Sequence, residues 1–124
     1  MHEDEIVDIL DLMLESIKLI QERFSRIEVP DDFVSTSEGV TFLDAISMRL
    51  QVVGESVKRI QKVDPAVLER NSEVEWDKIA KFRDFVSHHY EHVDHEVVFD
   101  ICKRHVPELG EVIQKLRKTY ALAP

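Results

Sequence analysis

The chain has 124 residues, of which 33% are charged and 44% hydrophobic, with three glycines and four prolines. Such a composition fits one soluble domain that buries a core without metals or disulfides, and it excludes a disordered chain. The formal net charge of −9 argues against bulk electrostatic binding of nucleic acid, which leaves a basic footprint.

No apolar run approaches the roughly 20 residues that span a bilayer. The start, MHEDEIVDIL, is acidic where an export signal is basic, so a cytoplasmic location is expected. Cys102 stands alone, which suits a reducing compartment, and it reads as an inert buried residue rather than a catalytic thiol. The charge is uneven. Acids crowd residues 3 to 32, whereas Lys103, Arg104, Lys115, Arg117 and Lys118 give the C-terminal end a basic bias.

In chain order, Ile6, Leu10, Met13, Ile17, Ile20, Phe24 and Ile27 repeat at steps of four and three, an apolar seam at helical period. Val7, Leu14 and Leu19 widen it, and Pro30 with Asp31 and Asp32 ends it. A second helix should start after Ser35, Thr36 or Ser37, any of which can cap it. Leu43, Ile46, Leu50, Val53, Val57 and Ile60 carry its apolar face to about Val63, and Asp64-Pro65 stops it. Gly54 lies in mid-helix, where close approach of another helix would account for its cost of about 1 kcal/mol. A third helix is predicted from about Val74 through Trp76, Ile79, Ala80, Phe82 and Val86. Asp94 can cap a fourth, with Val97, Val98 and Ile101 inward. Pro107 suits the first turn of a fifth, followed by Leu109, Val112, Ile113 and Leu116. No stretch alternates as a strand does. The predicted fold is all-α, an up-and-down bundle of four to five helices forming a single domain over residues 1–124.

The stretch KFRDFVSHHYEHVDHE, residues 81 to 96, raises the question of chemistry. His88 and His92 are spaced i, i+4, and His89, His92 and His95 are spaced i, i+3, i+6. On one helix face such pairs can hold zinc. Yet the HExxH arrangement is missing and no cysteine is near, so solvated histidines are the plainer account of His89, His92 and His95, and no metal is expected. Metal-free cleavage of RNA needs a group that moves a proton near neutral pH, and histidine suits it. It also needs fixed positive charge at the phosphoryl oxygens, which arginine supplies as a fork. Arg83 and His88 are those two types, but five residues place them about 140° apart on an ideal helix. Either the helix bends or ends between them, or a second subunit completes the site. On residues alone, an arginine paired with Asp77 or a neighbouring carboxylate and a tyrosine packed at a helix end are the plainer accounts of Arg83 and Tyr90.

The segment RDFVSHHY resembles the R-x4-H-x-Y motif of the HepT-like proteins, the toxin branch of the HEPN-domain ribonucleases. Asp84 matches the polar residue that follows the arginine in that family. FLDAISMRLQVVGESVKRI is similar to the family's second helix, including its Gly-Glu pair at Gly54 and Glu55. VEWDKIAKFRDFVSHHY, VDHEVVFDI and VPEL follow the third to fifth helices in order, so the resemblance spans about residues 38 to 116. His89 and His95 depart from the pattern, and ERNSEVEW lacks the family's common His-Pro.

The resemblance implies a dimer that brings two motifs to one cleft and cleaves RNA, possible substrates including tRNA, without metal or cofactor. It implies that Arg83 stabilises phosphate charge, His88 is general acid or base, and Asp84 orients one of them. It further implies a toxin paired with an MntA-type nucleotidyltransferase antitoxin that places AMP on Tyr90, which lines the cleft. The competing expectation is a non-catalytic module that holds a nucleotide or serves as scaffold for the nucleotidyltransferase, which the acidic charge favours.

Overall fold

The seam that begins at Ile6 lies on helix α1 (His2–Phe24) of the computed structural model, which describes residues 2–82, 84 and 93–121. A 3-10 turn (Pro30–Phe33), α2 (Ser37–Val63), α3 (Pro65–Glu69), α4 (Trp76–Ala80), α5 (His95–Asp100), a π turn (Ile101–His105) and α6 (Val106–Ala121) follow. Among the described residues there is no strand, and the all-α bundle expected from the sequence is the fold observed.

Helix α1 starts with Glu3, Asp4 and Glu5 at the positive end of its dipole. Its inward face packs on both α2 and α6. Ile6, Ile9, Leu10, Met13 and Ile20 are wholly excluded from solvent, and each such side chain contributes about 1.5–3 kcal/mol of burial. The helix ends at Phe24, before the expected Ile27, yet Ile27 is still buried, folded under by a turn whose amide donates to the Phe24 carbonyl at 2.9 Å. The Phe24 ring then meets Phe33 of the 3-10 turn at 6.3 Å and Phe99 of α5 edge-on at 5.1 Å, tying three elements together.

Helix α2 is capped by Thr36, whose hydroxyl oxygen accepts from the Gly39 amide at 2.9 Å. Its face of Leu43, Ile46, Leu50, Val53, Val57 and Ile60 is buried as the spacing predicts, and so is Gly54. Gly39 is needed for room rather than for its backbone angles, since no glycine among the described residues has positive φ. A Cβ there would stand 2.0 Å from the Asp32 carbonyl oxygen.

Two local expectations hold with an added feature each. Asp64-Pro65 stops α2 but also starts a helix: the Asp64 amide donates to Ile60, while its carboxylate accepts from the Ala66 amide and caps the five-residue α3. Pro107 stands in the first turn of α6 as expected, but that helix is not separated from α5 by a loop. The chain runs helically from His95 through the π turn into α6, and the Val106 amide reaches back five residues to the Ile101 carbonyl. A proline inside a helix removes one i→i−4 hydrogen bond and crowds a carbonyl in the turn before it, and the wider π register just upstream accommodates both effects. Asp94 caps the start of this stretch as expected, accepting from the Glu96 and Val97 amides at 3.1 and 3.2 Å.

Candidate active site

The approach to the motif is anchored residue by residue. The Trp76 indole N–H donates to the Asn71 backbone carbonyl at 2.9 Å, and the Asn71 side-chain Nδ2 in turn donates to the Val67 carbonyl at 2.8 Å. These bonds fasten the start of α4 to the end of α3. On the next face, Gln61 of α2 donates to the Asp77 carboxylate at 3.2 Å. Trp76, Ile79, Ala80 and Phe82 are buried as their spacing predicts. The ring of Phe82, one residue before Arg83, packs edge-on against His105 at 6.5 Å. His105 closes the π turn, so the same backbone irregularity that admits Pro107 positions a ring against Phe82.

Of the predicted site residues, Asp84 is described. Its carboxylate is half-exposed and lies 3.5 Å from the Lys58 ammonium of α2, and it has further interactions besides this one. Arg83, His88 and Tyr90 lie outside the described residues, as do His89 and His92. Lys58 was missed by the sequence reading. The available signal was weak: Lys58 lies three residues before Gln61 on α2, the two occupying one face, and that face meets α4.

The Asp77 carboxylate, which the sequence offered as a plain partner for Arg83, is bonded to Gln61. Much of the C-terminal basic bias is engaged within the chain. Arg104 pairs with Asp100 at 2.9 Å, Arg117 with Asp11 at 2.7 Å, and Lys103 stands 5.7 Å over the Phe99 ring. Beside Phe82 and His105 lies a small cleft of about 120 Å³ that Glu73, Glu75, Lys78 and Glu108 also line. It holds three carboxylates, which suits a nucleic-acid phosphate poorly. Among the described residues, no group of three or more His, Cys, Asp or Glu is placed to hold a metal ion. No helix among them is long and apolar enough to cross a membrane. Cys102 is buried in the π turn, and burial pushes its thiol up to about 12, which suits the structural role read from the sequence.

Comparison with known proteins gives the family. The family model described as ribonuclease HepT-like matches residues 13–116. The chain is 31% identical over 108 residues to a gamma-glutamylcyclotransferase and candidate RNase of Methanocaldococcus jannaschii, covering 86% of this chain but only 45% of that protein. It is 33% identical over 112 residues to the probable ribonuclease HepT of Thermococcus cleftensis, covering 90% of this chain and 94% of the relative. A candidate RNase of Caldanaerobacter subterraneus is 27% identical over 107 residues, with 86% and 89% covered. No solved structure matches significantly. The matched span contains the Gly54-Glu55 pair and the residues of the motif, and the chain belongs to the ribonuclease HepT-like family.

Proposed function

We propose that this protein is a metal-independent RNA endonuclease that acts as the toxin of a toxin–antitoxin pair. The observation that carries the reading is the family match over residues 13–116, which includes the intact Arg83, Asp84, His88 and Tyr90 set. In the proposed reaction the ribose 2′-hydroxyl attacks the adjacent phosphorus as a histidine takes its proton. The bond from phosphorus to the 5′-oxygen breaks, and that oxygen receives a proton from a histidine acting as acid. The products are a 2′,3′-cyclic phosphate and a 5′-hydroxyl, so no water or metal enters the bond-breaking step. Arg83 neutralises the charge that gathers on the phosphoryl oxygens, and Asp84 orients its neighbours. A homodimer supplies one His88 from each copy, which answers the roughly 140° separation of Arg83 and His88 on an ideal helix.

Tyr90 is the proposed regulatory hydroxyl. AMP placed there by an MntA-type nucleotidyltransferase would set a negative phosphodiester and a bulky base where the substrate phosphate must bind. Purified protein incubated with total tRNA should leave 2′,3′-cyclic phosphate ends, with or without chelator. Co-expression with the nucleotidyltransferase should add AMP to Tyr90 by mass spectrometry and silence cleavage, and Tyr90→Phe should fold and escape silencing. AMP on Tyr120, or on no residue, would remove the regulatory part of the reading.

The non-catalytic scaffold reading keeps one observation in its favour. Arg104 and Arg117 are committed to carboxylates of the same chain in a protein of net charge −9. A purified protein that binds the nucleotidyltransferase but leaves every RNA intact would establish it.

A further inference from the structure

We propose that the cleft between the start of α1, the end of α3 and the end of α6 binds a nucleoside monophosphate, with Arg70 and Lys115 on the phosphate and the Tyr120 ring against the base. The cleft has a volume of about 630 Å³, inside the roughly 300–1,000 Å³ range of small-molecule sites. Leu116, itself buried, gives it apolar lining, and Asn71 and Thr119 give it polar lining. The charges around it are not equally available. Asp64 is engaged at both oxygens: Oδ1 accepts from the Ala66 amide at 3.2 Å, and Oδ2 lies 3.5 Å from His2 Nε2. Glu3 stands in the first turn of α1, where the positive end of the helix dipole offsets its charge. Arg70 and Lys115, by contrast, make no ion pair among the described residues. Two uncommitted cations in one cleft, in a chain of net charge −9, are what a dianionic phosphate monoester satisfies through charge-assisted hydrogen bonds.

Both cations are presented from fixed backbone. The Arg70 amide donates to the Ala66 carbonyl at 3.1 Å, and the next residue, Asn71, is held through its carbonyl by Trp76 and through its side chain by Val67. Lys115 and Thr119 stand on successive turns of α6, where the Thr119 hydroxyl donates to the Lys115 carbonyl at 3.1 Å. Tyr120 follows, partly buried against the core. Burial first, then Asp64 and Glu3, push its hydroxyl above the ordinary value against the pull of Arg70. The ring therefore stays neutral near physiological pH and sets no negative charge beside the phosphate. A flat ring next to two free cations suits a base carried on a phosphate better than it suits a bare anion.

Isothermal titration calorimetry of the full chain with AMP, ribose 5-phosphate and inorganic phosphate tests this. AMP should bind about tenfold more tightly than ribose 5-phosphate, the scale of one base stacked on an aromatic ring. Arg70→Gln and Lys115→Gln, both at exposed positions, should each weaken AMP about tenfold or more at an unchanged melting temperature. Tyr120→Leu should bring AMP down to the affinity of ribose 5-phosphate and leave ribose 5-phosphate itself unchanged. Arg83→Ala and His88→Ala should bind AMP as the wild type does, so the site stands or falls apart from the nuclease reading. An absence of AMP binding, inorganic phosphate bound as tightly as AMP, or AMP affinity unchanged in both Arg70→Gln and Lys115→Gln would each overturn the proposal. Loss of AMP binding in Arg83→Ala would overturn it too, by placing the nucleotide at the motif.

Discussion

Replacing Gly39 with alanine sets two effects of opposite sign against each other. Gly39 stands in the first turn of α2, and helix propensity alone favours alanine there by about 0.8–1.0 kcal/mol. The new Cβ would sit 2.0 Å from the Asp32 carbonyl oxygen and 3.1 Å from the carbonyl carbons of Asp32 and Phe33. An ordinary carbon–oxygen contact is about 3.3–3.6 Å, so the 3-10 turn and α2 must part by more than about 1 Å. The turn has little freedom to yield. The Asp32 carboxylate accepts from the Glu28 and Val29 amides at 2.8 and 3.2 Å, and the Phe33 ring is wholly buried.

Forcing extra volume into a packed contact costs about 1–3 kcal/mol, and a clash with backbone belongs at the upper end. Taking about 3 kcal/mol for the clash against about 1 kcal/mol for propensity leaves a net loss of about 2 kcal/mol. For a chain of this length that lowers Tm by about 8 °C. Urea denaturation followed by circular dichroism should show a lower midpoint at unchanged m. Gly110→Ala is the matched control. Its Cβ would meet only the Ile17 Cγ2 methyl, at 3.3 Å, a side-chain contact that gives more easily, so its effect should stay within about 1 kcal/mol. A Gly39→Ala variant as stable as wild type, or more so, would refute the steric argument and leave propensity in charge.

Ile17→Asp should unfold or aggregate the protein, since it places a charge without a partner among α1, α2 and α6; a soluble variant with wild-type Tm would contradict the buried seam. Cys102 should resist thiol reagents in the folded protein while reacting freely in denaturant. Its folded thiol keeps its proton up to about 12 against an ordinary value of 9.0, so the folded state binds more protons between those values. Stability should therefore fall as pH rises through that window, and less steeply in Cys102→Ala, as base-induced unfolding will show. Light scattering at micromolar concentration should give twice the chain mass, and a monomer mass would contradict the paired site.

The architecture was readable because burial follows helical period: every residue of the α2 face from Leu43 to Ile60 is inward, and Thr36 and Asp94 cap as their side chains allow. The join at Pro107 was not readable. A proline in the first turn of a helix and one just after a π turn leave the same local signal, and the register shift that separates them is made by backbone hydrogen bonds. Helix α3 escaped because five residues carry no periodicity, and Asp64 ends one helix with its amide while starting another with its carboxylate. The order of Arg83, Asp84, His88 and Tyr90 was legible only by resemblance, since each residue alone has an ordinary explanation. Lys58 was barely legible. A lysine on a long helix looks like a solvated charge until its partner, 26 residues on in the sequence, is seen 3.5 Å away.

The most direct test of the account is the rate of RNA cleavage in EDTA by the wild type, His88→Ala and His92→Ala. The account predicts full activity for wild type in chelator, a loss of about 10²-fold or more for His88→Ala, and little change for His92→Ala. Arg83→Ala should be as severe as His88→Ala, and Arg83→Lys should not fully rescue it, because a point charge does not reproduce the guanidinium fork. Cleavage that EDTA or His92→Ala abolishes while His88→Ala leaves it intact would contradict the account and put a metal-dependent site in its place.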